Sequence, residues 1–422
     1  MNTRQSSPSY TGPFLTMVFL FFIVGFLTTA NTQFQAPLKT AFLSQVGEMK
    51  NTLTTLITFF WFLAYPAFGG VGSRWVNAYG YKGTLVRGLL VMVVGLGLFW
   101  SSAYLTANYP AANLIVGESI IPYGFFVFLL GGFVAGGSAT ILQVIINPYL
   151  SACHVSHTQP VQRMAIGGTA NSIGTTFAPY FVSGIVFSHT ALDDVQVSQL
   201  MLPFAALLLI MLALSAGVKY ATLPDIEGTR AEEGEQLERS VWSFSHLRWG
   251  VVSIFFYVGC EVCIGGNINL YALDQLGYSE QTVTLMATLY WAGLLVGRLC
   301  ATTLSSVSPR TQLTVTTSLA ILLMLAAILV NNPWLLVAVG LCHSIMWGCI
   351  FTLAVAQLGK YTSVASGVFM IGVVGGAILP LLQGFLADFA GWRLSWLLVL
   401  LGECVMFWYA RWGSRLRQEK LE

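Results

Sequence analysis

The sequence predicts an all-α membrane protein in which twelve transmembrane helices form two similar bundles of six helices. Three observations predict this fold. Hydrophobic residues make up 56% of the 422 residues and charged residues 9%, whereas soluble proteins carry roughly 25% charged residues. Apolar runs of about 20 residues, the length of a membrane-spanning helix, recur along the whole chain. Segments of the first half also recur, in the same order, in the second half.

Polar or glycine- and proline-rich stretches separate the apolar runs. The first run lacks a basic start and is too long for the core of a signal peptide, so we expect it to remain as a helix. The predicted spans are 14–37, 52–73, 84–106, 119–150, 164–188, 200–222, 249–273, 281–304, 312–331, 334–358, 363–387 and 394–411.

The longest connection is residues 223–248, between spans six and seven, and it carries both signs of charge. This composition is typical of a solvated linker, and a regulatory binding segment is the alternative. The linker divides the chain into an N-terminal bundle, residues 1–222, and a C-terminal bundle, residues 249–422.

The two halves share a sequence repeat. "FFIVG" at residues 21–25 in span one returns as "FFYVG" at residues 255–259 in span seven. In both span five and span eleven, a glycine precedes a proline by five residues. The matched positions are Gln33 with Asn267, Gln35 with Asn269, Gly174 with Gly375, and Pro179 with Pro380. Parallel repeats of this kind are typical of transporters whose solute site lies between the two halves.

The distribution of Lys and Arg predicts the orientation, because cytoplasmic loops are enriched in them. With the amino terminus inside, three of the 19 Lys and Arg residues fall outside, namely Lys39, Lys50 and Arg393, and the other sixteen fall inside. We therefore expect both termini and the linker to be cytoplasmic.

Amide side chains recur inside the apolar spans, although an unpaired amide in hydrocarbon is costly. Gln143 and Asn147 are four residues apart and share a helix face, and Asn171 has Thr175 one turn later. Amides and hydroxyls both donate and accept hydrogen bonds, as recognition of a neutral sugar requires. The alternative for each residue is a bond between neighbouring helices. The predicted sugar contacts are Asn31, Gln33, Gln35, Gln143, Asn147, Asn171, Asn267 and Asn269.

Tryptophans inside the spans supply apolar surfaces on which a sugar ring can stack. Trp61, Trp291 and Trp347 lie within spans two, eight and ten, whereas other tryptophans lie at span ends, where interfacial anchoring is usual. Packing in the core or against lipid is the alternative for these three residues.

Ionisable side chains inside a membrane indicate functional sites. The predicted spans contain Glu261, Arg298, His343 and Glu403. Glu261 is the candidate for ion coupling because its helix leads on to Asn267. Structural pairing is the alternative for Glu403.

Several classes of function are excluded or disfavoured. The net charge of +2 is too small to indicate nucleic-acid binding. Cys260 and Cys263 form a C-x-x-C, but they lie in an apolar run beside glycines, which favours packing over redox or metal chemistry. The sequence has no phosphate-binding loop of the G-x-x-x-x-G-K-[ST] type. Transport is therefore expected to be passive or driven by an ion gradient, without an enzymatic activity or a cofactor.

Five motifs resemble those of the fucose–galactose–glucose:proton symporter family, within the major facilitator superfamily. They are "NPY" at 147–149, "YVGCEVCIG" at 257–265, "GRL" at 297–299, "IFTLAVAQLG" at 350–359 and "GGAILPLLQGFLAD" at 375–388. "SRWVNAYGYK" at 73–82 is similar to the superfamily motif between spans two and three. The resemblance implies the major facilitator fold and an alternating-access sugar transporter in the cytoplasmic membrane of a bacterium.

The chain departs from the family pattern at three positions. Gln143 stands where proton-coupled members carry an acid, Thr32 where they carry an aspartate, and Gly168 where they carry a glutamine. The framework of Asn31, Asn147 and Asn171 is retained, but the usual titratable pair is absent. We therefore expect a monomer that moves a hexose or hexose derivative, coupled to protons or sodium or uncoupled. The alternatives are transport or export of another small polar solute, and a sugar sensor that does not transport.

The predicted orientation has a direct test. Glu232→Cys in the linker should react with a membrane-impermeant thiol reagent only after cells are permeabilised, because the linker is expected inside. The unsubstituted chain is the control for its seven native cysteines. Labelling of Glu232→Cys in sealed cells would contradict the orientation.

Overall fold

A computed structural model describes residues 10–46, 50–187, 195–226, 237–272, 276–301, 303 and 306–416. The described chain is almost entirely helical. Its helices are α1 (Thr11–Gln33), α2 (Gln35–Leu43), α3 (Lys50–Asn108), α4 (Tyr123–Ala152), α5 (Pro160–Tyr180), α6 (Met201–Tyr220), α7 (Ser245–Leu270), α8 (Glu280–Ala301), α9 (Pro309–Val330), α10 (Pro333–His343), α11 (Met346–Ala354), α12 (Thr362–Ile371), α13 (Gly375–Ala390) and α14 (Trp392–Trp408).

These helices supply the twelve predicted spans. Within the described residues, eight helices are long and apolar enough to cross a membrane, or nine when α10 and α11, bent by 43°, are taken as one span. The helix α3 contains two spans, and the shorter or more polar α5 and α8 supply the remaining two. The prediction of an all-α fold with twelve transmembrane helices is confirmed.

The two spans within α3 are separated by a reversal of the chain at Gly80, whose φ of 70° and ψ of 177° interrupt the helix. Contacts with α4 reveal the reversal: they pair Trp61 with Gly136 and Gly72 with Val144, then Gly88 with Ile141 and Gly95 with Ala135. The carboxylate of Asp225 fastens this turn by accepting a 3.0 Å hydrogen bond from the Tyr81 backbone N–H.

The helix of span four begins at Tyr123, a few residues after the predicted edge at residue 119. Residues Ser119–Pro122 form a strand, β2, which pairs antiparallel with β1, Asn113–Val116. Gly117 adopts a φ of 59° in the turn between them, and a positive φ is what a tight hairpin requires. The helix therefore begins after Pro122. Residues 227–236 of the predicted linker lie outside the described part of the chain.

The repeat seen in the sequence corresponds to equivalent helix contacts. A Cβ added at Gly174 in α5 would overlap the backbone of Phe22 in α1, and one added at Gly375 would overlap the backbone of Phe255 in α7. Spans one and five thus approach each other as closely as spans seven and eleven do. In both pairs, glycine permits backbone contact in the manner typical of membrane helices.

The two halves touch at the end of the molecule that carries most of the basic residues. A Cβ added at Gly69 in α3 would overlap the carbonyl oxygen of Gly367 in α12, and a Cβ at Gly367 would overlap that of Gly69. One turn away, the Ser363 hydroxyl donates a 3.4 Å hydrogen bond to the carbonyl of Ser73. At this end, backbone atoms and small side chains of the two halves therefore come into direct contact.

This close contact predicts that Gly367→Ala opens the interface. Overpacking costs roughly 1–3 kcal/mol, equivalent to about 5- to 150-fold in the population of the contact. We expect disulfide formation between Ser73→Cys and Ser363→Cys to slow when Gly367→Ala is added. Gly384→Ala in α13 is the matched control, because a Cβ there would meet no atom within 4 Å. Equal slowing by both alanines would contradict the prediction.

Candidate functional site

A cavity of about 180 Å³ lies between the two halves, where α1, α3, α4 and α5 face α7, α8, α11 and the bend at Ser344 and Ile345 that precedes α11. Its polar and aromatic lining comprises Phe21, Thr28, Thr29, Phe62, Tyr65, Gln143, Asn171, Thr175, Glu261, Trp291, Arg298, Ser344 and Trp347. Amides and hydroxyls come mainly from the first half, whereas the two indoles and both charged groups come from the second.

Gln143 is positioned in the cavity wall by a tyrosine from the neighbouring span. Its amide nitrogen donates a 2.8 Å hydrogen bond to the Tyr65 hydroxyl and a 3.3 Å bond to the Ala139 carbonyl. The Gln143 residue is only 5% exposed. Its orientation is thus defined before any solute binds, which lowers the entropic cost of using it as a ligand contact.

Asn171 both joins two helices and lines the cavity. Its amide nitrogen donates a 3.0 Å hydrogen bond to the carbonyl of Phe21 in α1, and Gly25 lies directly against the amide. Thr175, one turn later, also lines the cavity, and its hydroxyl bonds to the Asn171 carbonyl at 3.0 Å. The two alternatives foreseen for such amides, helix pairing and a cavity wall, therefore apply together here.

The opposite wall presents two indole rings. Trp291 in α8 packs beside Tyr290, with ring centroids 5.3 Å apart, and Trp347 in α11 is wedged against Phe369 and Tyr257. The indole nitrogen of Trp347 is buried and has no hydrogen-bond partner within the described residues. The rings are held by packing and offer apolar surface beside the amides.

Arg298 connects four helices from both halves. Its Nε donates a 2.9 Å hydrogen bond to the Ser344 carbonyl, and one Nη bonds to the Gly168 carbonyl at 3.1 Å and to the Ser172 hydroxyl. The other Nη lies 3.8 Å from a carboxylate oxygen of Glu261. A guanidinium suits this position because its donors point in several fixed directions.

Gly168 lies directly beside this arginine. The Cδ of Arg298 lies 3.4 Å from where a Cβ of residue 168 would be. That separation is an ordinary van der Waals contact, so a Cβ at residue 168 would fit beside the arginine in its present position. The departure at Gly168 therefore lies at a residue whose backbone carbonyl is part of the bridge that Arg298 makes between the halves.

Five of the predicted site residues line the cavity: Gln143, Asn171, Glu261, Trp291 and Trp347. Gln33 is exposed at the end of α1, and the side chains of Gln35 and Asn269 lie outside the described part of the structure.

Four predicted residues are placed away from the cavity lining. Asn31, 3% exposed, donates a 3.4 Å hydrogen bond to the Ile57 carbonyl, and Asn267 donates a 2.9 Å bond to the Gln383 side chain. Asn147 is fully buried, and neither of its amide atoms has a hydrogen-bond partner within the described residues. Trp61, 1% exposed, packs against Gly136.

Tyr65 and Arg298 are lining residues that were absent from the predicted solute contacts. Tyr65 lies one helical turn after Trp61, so it shares a face with a residue that was selected. A tyrosine inside an apolar run also brings a hydroxyl that needs a partner. Arg298 was recognised as an intramembrane charge, but only the fold reveals that it reaches across to Gly168 and Ser172.

Comparisons with known proteins agree with this architecture. The chain is 31% identical to the "Glucose/galactose transporter" of Brucella abortus over 98% of this chain and 97% of that protein. It is 22% identical to the "L-fucose-proton symporter" of Escherichia coli over 97% of this chain and 94% of that protein. The crystal structure of the latter type of transporter in the outward conformation superposes with a TM-score of 0.80, at 22% identity, covering 97% of this chain and 100% of that chain.

The sequence model that describes the Major Facilitator Superfamily also matches this chain. It covers residues 21–376, which include parts of both halves and the entire cavity lining. The chain therefore belongs to the Major Facilitator Superfamily.

Proposed function

We propose that this protein is an alternating-access transporter of a neutral hexose, such as glucose or galactose, across the cytoplasmic membrane of a bacterium. The observation that carries the proposal is the cavity between the halves, with amides and hydroxyls on one wall and indole rings on the other. The names of the similar transporters from Brucella abortus and Escherichia coli support a sugar as the solute.

The lining residues divide recognition between hydrogen bonds and stacking. Gln143, Asn171 and Tyr65 supply amide and hydroxyl groups that match the hydroxyls of a sugar. Trp291 and Trp347 supply apolar faces against which the carbon skeleton of the ring packs. Enclosure strengthens each polar contact because the surroundings have a low dielectric constant.

The contact between the halves supports alternating access, which is the second part of the proposal. Gly69 against Gly367 and Ser363 against Ser73 close the end that carries the basic loops. The excess of Lys and Arg supports a cytoplasmic position for that end and for both termini. We infer that this arrangement is outward-facing, and transport then requires the small-residue contact to separate and the opposite end to close.

The charged groups of the cavity bear on energy coupling. Thr32 and Gln143, at the two positions of the family's acids, are neutral, and the Thr32 hydroxyl bonds within its own helix to the Thr28 carbonyl at 3.3 Å. Glu261 is the acid that lines the cavity, beside Arg298. A proton on Glu261 would remove half of this ion pair, so its titration is a means of coupling. Facilitated diffusion is the alternative.

Gln143→Ala tests the sugar contact. Loss of one hydrogen bond in a desolvated site costs roughly 1–3 kcal/mol, so we expect about 5- to 150-fold weaker binding of labelled galactose or glucose to the purified protein. Asn147→Ala is the matched control, one turn away on the same helix and outside the cavity lining, and should leave affinity unchanged. Unaltered affinity in Gln143→Ala would remove span four from the proposed site.

Glu261→Gln tests coupling. In proteoliposomes, this variant should lose sugar accumulation driven by an inward proton gradient but retain sugar counterflow, because counterflow requires reorientation of the loaded carrier without net proton movement. Accumulation that persists in the variant would exclude Glu261 as the coupling group. If the parent protein shows counterflow but accumulates sugar under neither a proton nor a sodium gradient, transport is facilitated diffusion.

A further inference from the structure

A second buried pair of ionisable side chains lies behind the cavity wall, inside the second half. The Nε2 of His343, the last residue of α10, is 2.6 Å from a carboxylate oxygen of Glu403 in α14. Both side chains are 0% exposed. Burying such a pair is costly unless its geometry and hydrogen bonding compensate, so the pair requires an explanation beyond joining two helices.

On the Glu403 side, the hydrogen bonding of this pair is incomplete. On the His343 side, hydrogen bonds lead through Tyr290 to Glu261, which lines the cavity. The second carboxylate oxygen of Glu403 is buried without a hydrogen-bond partner in the described residues. The Tyr290 hydroxyl lies 2.8 Å from Nδ1 of His343 and 3.2 Å from the backbone carbonyl of Glu261. The Tyr257 hydroxyl bonds to the His343 carbonyl at 3.1 Å.

The pair also adjoins the bend of span ten. The helix breaks directly after His343, at Ser344 and Ile345, and both of these residues line the cavity. Arg298, which bridges the two halves, binds the Ser344 carbonyl. A change in the hydrogen bonding of His343 therefore acts one residue away from the bridge.

We propose that His343 and Glu403 form a buried proton-binding site of the transport cycle, which communicates with the cavity through Tyr290 and the bend of span ten. This inference rests on the proposed transport function and deepens it. It places a proton site in the second half, whereas the family's acid positions, Thr32 and Gln143 in this chain, lie in the first half.

Counting protons shows how the site would switch. Tyr290 has a single hydroxyl proton, so it can donate to the Glu261 carbonyl or to Nδ1 of His343, but not to both. In the loaded state, Nδ1–H donates to the tyrosine oxygen, the tyrosine donates to the Glu261 carbonyl, and one further proton lies between Nε2 and Glu403. The pair is then neutral overall.

Removal of one proton reverses the direction of these bonds. The remaining imidazole proton lies on Nε2 and donates to the Glu403 carboxylate, while Nδ1 accepts from Tyr290. The Glu261 carbonyl then loses the hydrogen bond from Tyr290, and the pair carries one negative charge. The released proton passes to water in the cavity on the side that is open. In both states, Nδ1 and Nε2 of His343 keep their hydrogen bonds to Tyr290 and Glu403. The two states differ in the hydrogen bond to the backbone carbonyl of Glu261, a residue of the cavity wall.

Other titratable groups surround the pair. From α7 it is approached by Tyr257, Cys260 and Glu261, from α8 by Tyr290, and on its own helices by Cys342 and Cys404. The helix α9 carries Arg310 near its start, and Arg298 lies beyond Glu261.

The experiment compares three chains in proteoliposomes: the parent, Glu403→Gln, and the double variant His343→Gln with Glu403→Gln. The double variant keeps amides able to bond to each other but removes both titratable groups. We expect the two variants to retain counterflow of labelled galactose or glucose and to lose accumulation driven by an inward proton gradient. Glu118→Gln, in the exposed hairpin turn, is the matched control and should accumulate sugar like the parent.

Tyr290→Phe provides a second readout, because it removes the hydroxyl but no titratable carboxylate or imidazole. We expect this variant to shift the pH dependence of accumulation while counterflow remains. A merely structural pair would leave that pH profile unmoved.

The outcomes separate the two proposals. If the double variant concentrates sugar as the parent does, the proton site is overturned. Loss of counterflow in the double variant would assign the pair a structural role, and this result would also overturn the proton site. If the parent protein shows counterflow but does not accumulate sugar under a proton gradient, the sugar-transport proposal stands and the proton site is excluded. A parent without counterflow of any sugar would overturn the proposed function itself.

Discussion

Hydrocarbon offers no hydrogen-bond partner, so polar groups in the membrane-spanning part of this chain depend on partners inside the protein. Most of the structure follows from this constraint. The hydroxyls of Thr140, Thr169 and Thr175 bond to carbonyls one turn earlier in their own helices. Side chains too long or too charged for that solution reach other helices instead, and Arg298 reaches the other half of the molecule. The interface between the halves therefore coincides with the place where a charge is satisfied.

The same constraint explains how one amide serves two purposes. Asn171 bonds to the Phe21 carbonyl, which holds α5 against α1, yet the residue still lines the cavity. Gln143 is likewise held by Tyr65. An amide fixed in this way keeps part of its hydrogen-bonding capacity for a ligand, since an amide has two donor hydrogens and an acceptor oxygen. Rigid helix packing and a preorganised polar wall are thus produced by the same contacts.

Small residues determine which contacts hold each bundle together and which join the halves. Gly174 against Phe22 and Gly375 against Phe255 lie within the bundles, whereas Gly69 against Gly367 lies between them. Contact between two bare backbones involves little apolar side-chain surface and few hydrogen bonds. An interface of this kind can separate and re-form at modest cost, while the larger side chains packed within each half keep the bundles intact. Arg298 adds polar contacts that solute binding in the adjacent cavity can alter.

The sequence by itself determined the class of fold, the spans and the two-fold repeat. Hydrophobicity and glycine spacing are local properties of the chain, and the length of an apolar run decides whether a helix can cross the bilayer. It also indicated that amides, indoles and an acid would form the site. Only the tertiary structure decided which of them meet. Gln143 and Asn147 share a helix face, but four residues correspond to about 6 Å along the axis, and the cavity reaches only Gln143. His343 and Glu403, on different helices, become partners through packing alone. Depth along a helix and contacts between distant spans depend on how twelve helices fit together, which no local pattern in the chain records.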